Sequence, residues 1–164
     1  MLLINTHWSH VSSEARDFSA RLVRKRAAAL LAAMAPGTAL VLTGDFNTRS
    51  PEDSFPYTHL TDSGLFFDTY TAIHGLRSDD SGTMHTFSSL DAQPWTERID
   101  WVLSSPVLLP VDSKVDRTVV DGRAASDHFF VFSTLAWGAP AALPTLIPDV
   151  YSVSLSSKSP DNQV

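Results

Sequence analysis

The sequence contains no cysteine and few charged residues, and each shortage excludes a class of protein. Without cysteine, neither a disulfide framework nor a cysteine-ligated zinc site can form. Charged residues make up only 18% of the 164 residues, and the net charge of −6 disfavours broad electrostatic binding to nucleic acid or to an anionic membrane. No apolar run is long enough to span a membrane, and the first residues lack the basic region of a signal peptide. The length of 164 residues predicts one domain with a sizeable core, and the 43% hydrophobic content is ordinary for a globular protein. The lack of cysteine leaves the redox compartment open.

An apolar segment at residues 39–43 ends in Gly44-Asp45-Phe46-Asn47. Alternate side chains of an extended strand share a face, so Asp45 and Asn47 are expected to point to the same side. A carboxylate and a carboxamide at the end of a buried strand are costly unless they hold water, a metal ion or a phosphate. The alternative is a β-turn in which both side chains satisfy their own backbone.

Residues 1–44 are predicted to form a strand, a helix and a second strand. The first strand ends in polar residues, as the second one does. Ser12 or Ser13 can cap the helix, Glu14 lies in its first turn, and Pro36-Gly37 ends it. A looser stretch follows from Arg49 to about Pro94. The other predicted elements are a short helix at 57–60 and strands at 98–103, 108–119 and 129–135, with a turn at Asp121-Gly122.

The composition changes near residue 138. Residues 138–164 are rich in Ala, Pro and Ser, and we expect a mostly disordered tail there, which leaves residues 1–137 as the folded portion. Tyr151, Val153 and Leu155 alternate, so an edge strand within the tail is the alternative.

Four short polar motifs occur in the chain, each beside an apolar strand. They are Asn5-Thr6-His7, Gly44-Asp45-Phe46-Asn47, Arg98-Ile99-Asp100 and Ser126-Asp127-His128. In this order they resemble the endonuclease/exonuclease/phosphatase superfamily, whose members are similar to deoxyribonuclease I. The resemblance covers about residues 1–136 and implies an α/β (α+β) fold, part of a four-layer αββα sandwich in which helices flank two facing sheets.

The family also has an upstream Gln-Glu motif, whose Glu is its principal metal ligand. No glutamate here stands in a matching context, because Glu14, Glu52 and Glu97 lie in other surroundings. We therefore expect the C-terminal half of the domain, with its N-terminal half missing. The sheet face turned towards that half would then be exposed and prone to self-association.

The resemblance implies a role for each motif residue in phosphoester hydrolysis. Such a reaction needs an activated water and neutralised phosphoryl charge. His128 would be the general base and Asp100 would orient its ring. Asp45 would orient the water, Asn47 would hold the water or a phosphoryl oxygen, and His7 would donate a hydrogen bond to the phosphate or the leaving group.

A metal ion and a substrate contact are implied in the same way. Asp127, together with Asp45 and Asn47, would bind Mg²⁺, with Mn²⁺ as an alternative. Thr86 matches a position that relatives place near the phosphate.

Each assignment has a structural alternative. His7 and His128 can each be packing histidines, Asp100 can pair with Arg98 or Arg123, and Asp127 can cap a turn. The other four histidines are interpreted as surface or packing residues, and Trp101 as a core residue. They are His10, His59, His74 and His85.

The resemblance predicts a Mg²⁺-dependent phosphoester hydrolase, either a phosphodiesterase or a phosphatase, that can be inactive as this chain alone. The acidic net charge favours a small phosphoester, a sugar phosphate or a phospholipid headgroup over duplex DNA. Two other classes stay open. One is a non-catalytic remnant that binds a partner or self-associates, and the other is a zinc hydrolase, against which the lack of a His-Glu-x-x-His helix counts.

Overall fold

A computed structural model describes residues 1–49, 54–75, 81–85, 87 and 97–138. These residues form six strands and three helices in a mixed α/β arrangement. In chain order the elements are β1 (Leu2–His7), α1 (Ser13–Ala33), β2 (Leu40–Asp45), α2 (Phe55–Thr61), β3 (Phe67–Asp68), α3 (Thr69–His74), β4 (Asp100–Ser104), β5 (Leu108–Asp116) and β6 (Phe130–Trp137). One sheet has the strand order β1-β2-β4-β3, and the other consists of β5 and β6.

The predicted strand–helix–strand unit is present at the beginning of the fold. Strands β1 and β2 pair in parallel, and α1 is the crossover between them. The hydroxyl of Ser12 caps α1 by accepting a hydrogen bond from the backbone N–H of Ala15 at 3.1 Å, and Pro36 follows the end of the helix. A Cβ at Gly44 of β2 would be 1.9 Å from the carbonyl oxygen of Thr6 on β1. Only glycine fits this position without a shift of the backbone.

The main core lies between the four-stranded sheet and the helices α1 and α2. Leu40 and Leu42 of β2 and Trp101 of β4 are fully or almost fully buried in it. Phe46 stacks on Trp101 with ring centroids 4.3 Å apart, and Trp8 meets Phe46 edge-on at 4.8 Å. The prediction of Trp101 as a core residue is therefore confirmed. Phe46 lies between Asp45 and Asn47 in the chain. Burial of its side chain in this cluster therefore anchors the loop that carries both polar residues.

The looser stretch predicted after Arg49 is more ordered than expected in its described part. The helix predicted at 57–60 is present as α2, but β3 and α3 also form there. Asp68 is the reason that α3 begins where it does, because its Oδ1 accepts the backbone N–H of Tyr70 at 2.9 Å.

The second sheet packs one face against the first sheet and leaves the other exposed. Thr69 of α3 is hydrogen-bonded to Ser133 of β6, with the two hydroxyl oxygens 2.7 Å apart. The turn predicted at Asp121-Gly122 is present, with both residues at positive φ.

The face of the second sheet that points away from the first sheet carries four apolar side chains that are each at least half exposed: Leu109, Val111, Phe130 and Phe132. We call these four residues the hairpin face. The expectation that the sheet face turned towards the N-terminal half is exposed and prone to self-association stays a prediction.

The described residues end at Gly138, whose N–H donates to the carbonyl oxygen of Val107 at 2.9 Å. The predicted tail, apart from this residue, lies outside the described residues. None of the helices in the described ranges combines the length and the apolar composition needed to cross a bilayer.

Candidate active site

Three polar side chains lie in one row across the four-stranded sheet. The strand register places His7 of β1 opposite Asp45 of β2, and Asp45 opposite Asp100 of β4. Residues directly opposite each other on neighbouring strands project from the same face. His7 Nε2 accordingly lies 3.4 Å from Asp45 Oδ2. Strand pairing alone therefore brings together three motifs that are far apart in the chain.

His128 completes this group from outside the sheet. It lies just before β6 and forms a β-bridge with Met84. The hydroxyl of Ser126 accepts its backbone N–H at 3.2 Å. In this position His128 Nδ1 lies 2.8 Å from Asp100 Oδ2. Each of Asp45, Asp100 and His128 offers a ligand atom within 4.8 Å of the other two.

The loop after β2 turns sharply instead of continuing as a strand. β2 ends at Asp45, and Asn47 has a positive φ of 47°. Asp45 Oδ1 accepts the backbone N–H of Asn47 at 2.8 Å, so the predicted turn alternative is correct for the backbone. The two side chains still meet, because Asn47 Nδ2 donates to Asp45 Oδ2 at 3.2 Å and to the carbonyl oxygen of Trp8 at 2.9 Å. Among the described residues Asn47 Oδ1 has no hydrogen-bond donor, which leaves this oxygen for a ligand.

The electrostatics of the group favour a proton or a cation. Burial raises the pKa of Asp45; the backbone N–H of Asn47 acts against this, and the nearby Asp100 carboxylate adds to it. The hydrogen bond to Asp100 raises the pKa of His128, against the effect of burial. The side chains of Asp100 and His128 are 20% and 23% exposed, so a small molecule in solvent can reach them.

The family model of the endonuclease/exonuclease/phosphatase family matches residues 2–128. The chain belongs to this family. No curated protein shows significant similarity to the chain. Solved structures do: a mannosyl-6-phosphatase from Bacteroides thetaiotaomicron is 25% identical over 82% of this chain and 51% of its own, with a TM-score of 0.65.

Two further solved structures share the fold. An endonuclease/exonuclease/phosphatase family protein from Bacteroides thetaiotaomicron is 24% identical over 81% of this chain and 47% of its own, with a TM-score of 0.63. A truncated TDP2 from Caenorhabditis elegans is 18% identical over 79% of this chain and 52% of its own, with a TM-score of 0.59. The chain thus spans about half the length of these structures, and its fold is part of the deoxyribonuclease I-like sandwich.

Most of the motif residues that the sequence singles out lie together in the structure. They are His7, Asp45, Asn47, Asp100 and His128. Asp127 is exposed, its Oδ1 accepts from the hydroxyl of Ser126 at 3.2 Å, and it is not part of the carboxylate–imidazole group found in the described ranges. Thr86 lies outside the described residues, so its predicted contact with the substrate stays a prediction.

The carboxylates fit a divalent cation better than the imidazole does. Mg²⁺ prefers oxygen ligands, and a cation would offset the repulsion that Asp45 experiences from Asp100. Asn47 Oδ1 can add a third oxygen. His128 already uses Nδ1 for Asp100, and imidazole is a ligand that Mg²⁺ does not favour. The residues that can hold the cation are therefore the oxygen ligands on β2, β4 and the loop after β2.

No motif in the sequence singles out Asp68, a buried carboxylate that pairs with Arg98. Arg98 pairs with Asp68, with Nη2 and Oδ2 2.5 Å apart, and not with Asp100. Tyr57 and Thr71 also bond to Asp68, each with a hydroxyl oxygen 3.0 Å from Oδ2. Burial and the charge of Asp68 raise the pKa of Tyr57 to about 12. The signal that could have found Asp68 is its position as an N-cap residue before Thr69-Tyr70.

Proposed function

We propose that this chain carries the general-base half of a divalent-cation-dependent phosphoester hydrolase. One observation supports this most directly: His128 Nδ1 and Asp100 Oδ2 are 2.8 Å apart, beside the Asp45 carboxylate. A carboxylate that orients an imidazole is the arrangement by which a histidine becomes an effective base near neutral pH. Family membership is consistent with the proposal, since phosphatases occur among the similar structures.

In the proposed reaction His128 takes a proton from water. Asp100 accepts the N–H at Nδ1, which leaves Nε2 as the basic atom. The water proton moves to Nε2 while the water oxygen attacks phosphorus. The bond from phosphorus to the leaving oxygen breaks, and that oxygen departs with the bonding electrons and takes a proton from solvent. Asp100 stabilises the resulting imidazolium, and the raised pKa of His128 reflects the same interaction.

The row of side chains across the sheet positions the phosphate. Asp45 and Asn47 orient the water or a phosphoryl oxygen, and His7, whose side chain is 72% exposed, donates a hydrogen bond to the phosphate or the leaving group. A divalent cation, Mg²⁺ or Mn²⁺, held by Asp45, Asn47 and an oxygen of Asp100, would neutralise negative charge on the phosphate when bound. Asp127, the further ligand that the sequence predicts, lies outside this group of the described residues.

A sugar phosphate is the substrate class we propose to test first. The mannosyl-6-phosphatase is 25% identical to the chain at a TM-score of 0.65, and the net charge of −6 disfavours long polyanions.

The second candidate function is a binding or self-associating module. The hairpin face supports it, because Val111 is 60% exposed and Phe130 is 54% exposed. Exposed apolar area of this kind is typical of a surface that contacts another protein. An oligomer that forms whether or not Asp45 is intact would favour this candidate.

The proposed function is tested by hydrolysis of mannose 6-phosphate and of a nitrophenyl phosphodiester. The chain is assayed with Mg²⁺, with Mn²⁺ and with EDTA, beside His128→Ala. His59→Ala is the matched control, since His59 lies on α2 and contacts Phe55 and Arg24. We expect metal-dependent turnover that His128→Ala abolishes and His59→Ala retains. Unchanged turnover in a folded His128→Ala protein contradicts the proposal. A folded wild-type chain without turnover is expected both for the binding module and for a hydrolase half that needs its Glu-bearing half.

A further inference from the structure

A short segment, residues 83–85, lies between the strand that carries Asp100 and the loop that carries His128. Thr83 is its most buried residue, with no exposed surface. Its backbone N–H donates to the carbonyl oxygen of Glu97 at 3.0 Å, and its carbonyl oxygen accepts the N–H of Phe129 at 2.7 Å. Two residues further on, the N–H of His85 donates to the carbonyl oxygen of Asp127 at 2.9 Å. Residues 83–85 therefore form backbone hydrogen bonds both to the chain before Asp100 and to the chain around His128, the two partners of the ion pair.

The Thr83 hydroxyl adds a second attachment to the Asp100 side. Thr83 Oγ1 accepts the backbone N–H of Ile99 at 3.1 Å and that of Asp100 at 3.2 Å. Ile99 is buried, so its N–H has little access to water as an alternative acceptor. At the start of β4, from which the Asp100 carboxylate projects, two backbone N–H groups thus bond to one side-chain oxygen, in addition to the pairing of β4 with β2.

We propose that Thr83 is a positioning residue of the Asp100–His128 pair: its hydroxyl fixes the start of β4, and its carbonyl fixes the chain after His128. The separation of 2.8 Å between Asp100 Oδ2 and His128 Nδ1 is then set by one buried residue that contacts both backbones. The catalytic consequence rests on the proposed function, whereas the geometric consequence does not.

The test compares substitutions that keep or remove the hydroxyl. Thr83→Val keeps the shape and removes the acceptor, and Thr83→Ser keeps the acceptor. Thr69→Val is the matched control, because Thr69 is also fully buried and donates its hydroxyl to β4, at the carbonyl oxygen of Val102, 2.8 Å away. This control removes a buried hydroxyl that bonds to β4, but it leaves the contacts of Asp100, the first residue of β4, unchanged.

Two readouts are used. The first is turnover, and the second is the downfield proton NMR signal of the His128 Nδ1–H that is hydrogen-bonded to Asp100, assigned by its loss in His128→Gln. We expect Thr83→Val to lower turnover by about 10²-fold and to shift or remove the signal, because a small misplacement of a reacting group is costly. Thr83→Ser should restore both, and Thr69→Val should keep the signal.

An unchanged signal in a folded Thr83→Val protein would overturn the proposal. If the wild-type chain does not hydrolyse phosphoesters, the NMR comparison still decides the positioning role, so the two failures are distinguishable. If Thr83→Val does not fold, amide hydrogen exchange in the wild type decides: slow exchange at Ile99 and Asp100, equal to that of the β4 interior, supports the proposal, and fast exchange overturns it.

Discussion

Arg98 and Asp100 are separated by one residue, and each forms an ion pair, but the two pairs lie in different surroundings. The side chains of Arg98 and Asp68 are 4% and 1% exposed, whereas those of His128 and Asp100 are 23% and 20% exposed. The buried pair is enclosed by Tyr57, Thr71 and the ring of Tyr70, over which the guanidinium lies at 4.9 Å. The other pair lies beside the row of polar residues that crosses the sheet.

The difference shows how one short segment can serve both stability and chemistry. A buried guanidinium needs a paired carboxylate, which Asp68 supplies to Arg98. An imidazole changes charge near neutral pH, so the Asp100–His128 pair can accept and release a proton. We therefore assign the buried Asp68–Arg98 pair to the fold and the partly exposed Asp100–His128 pair to the proposed reaction. The predictions below separate the two.

Removing one partner of the buried pair should have the largest effect on stability. We expect Asp68→Ala to lower the free energy of unfolding by about 3–5 kcal/mol, because the Arg98 charge is left buried and uncompensated. Denaturant titration of the variant beside the wild type measures this. The double variant Asp68→Asn/Arg98→Met should lose less than the sum of its single variants. A loss of under about 1 kcal/mol in Asp68→Ala would contradict the structural role.

Loss of the Asp100–His128 pair should affect turnover more than stability. We expect Asp100→Asn to lower turnover by about 10²- to 10⁴-fold, because the His128 ring loses its orienting carboxylate. The free energy of unfolding should change by less than about 1 kcal/mol, since the pair is partly solvated. Steady-state kinetics and denaturant titration of the same preparation test both parts. A variant that is stable and fully active would remove Asp100 from the mechanism.

The pH dependence of stability sharpens the comparison, because the imidazole of the Asp100–His128 pair changes charge near neutral pH. Its pKa in the folded chain is raised above the ordinary value of 6.5, so folding favours the imidazolium. The stabilisation is therefore complete below the unfolded pKa and is lost as the pH rises through the folded pKa. The wild type should exceed His128→Gln in unfolding free energy by more below about pH 6 than above about pH 8. A difference that is independent of pH would contradict this sign.

The smallest effect is expected at the exposed pair of Arg49 and Glu97, whose side chains are 68% and 42% exposed. Glu97→Gln should change the free energy of unfolding by about 0–1 kcal/mol, and less at high salt, because solvent screens the pair. Thermal unfolding at two salt concentrations measures this. A larger loss of unfolding free energy would mean that the contributions of the three ion pairs to stability do not follow their exposure.

The sequence predicts the part of the site that depends on strands. Asp45 and Asp100 follow or begin strands with clear apolar patterns, and pairing of those strands places them side by side. The cap at Ser12 and the end of α1 depend on local residues, so they too are predictable.

The remaining features depend on contacts that local sequence does not encode. β3 has only two residues, which is too short for a periodic pattern, and α3 has six. The Asp68–Arg98 pair joins β3 to the segment before β4, whereas the sequence brings Arg98 closest to Asp100. Thr83 looks like an ordinary loop threonine, and only the folded chain brings its hydroxyl to the N–H groups of Ile99 and Asp100.

The central claim, that Asp100 holds His128 as a titratable base, is tested most directly by NMR titration of the His128 imidazole in the wild type and in Asp100→Asn. The account predicts a midpoint above the ordinary value of 6.5 in the wild type and a lower midpoint in the variant, because the hydrogen bond to Asp100 is the main cause of the raised pKa. Coincident titration curves in the two folded proteins would contradict it.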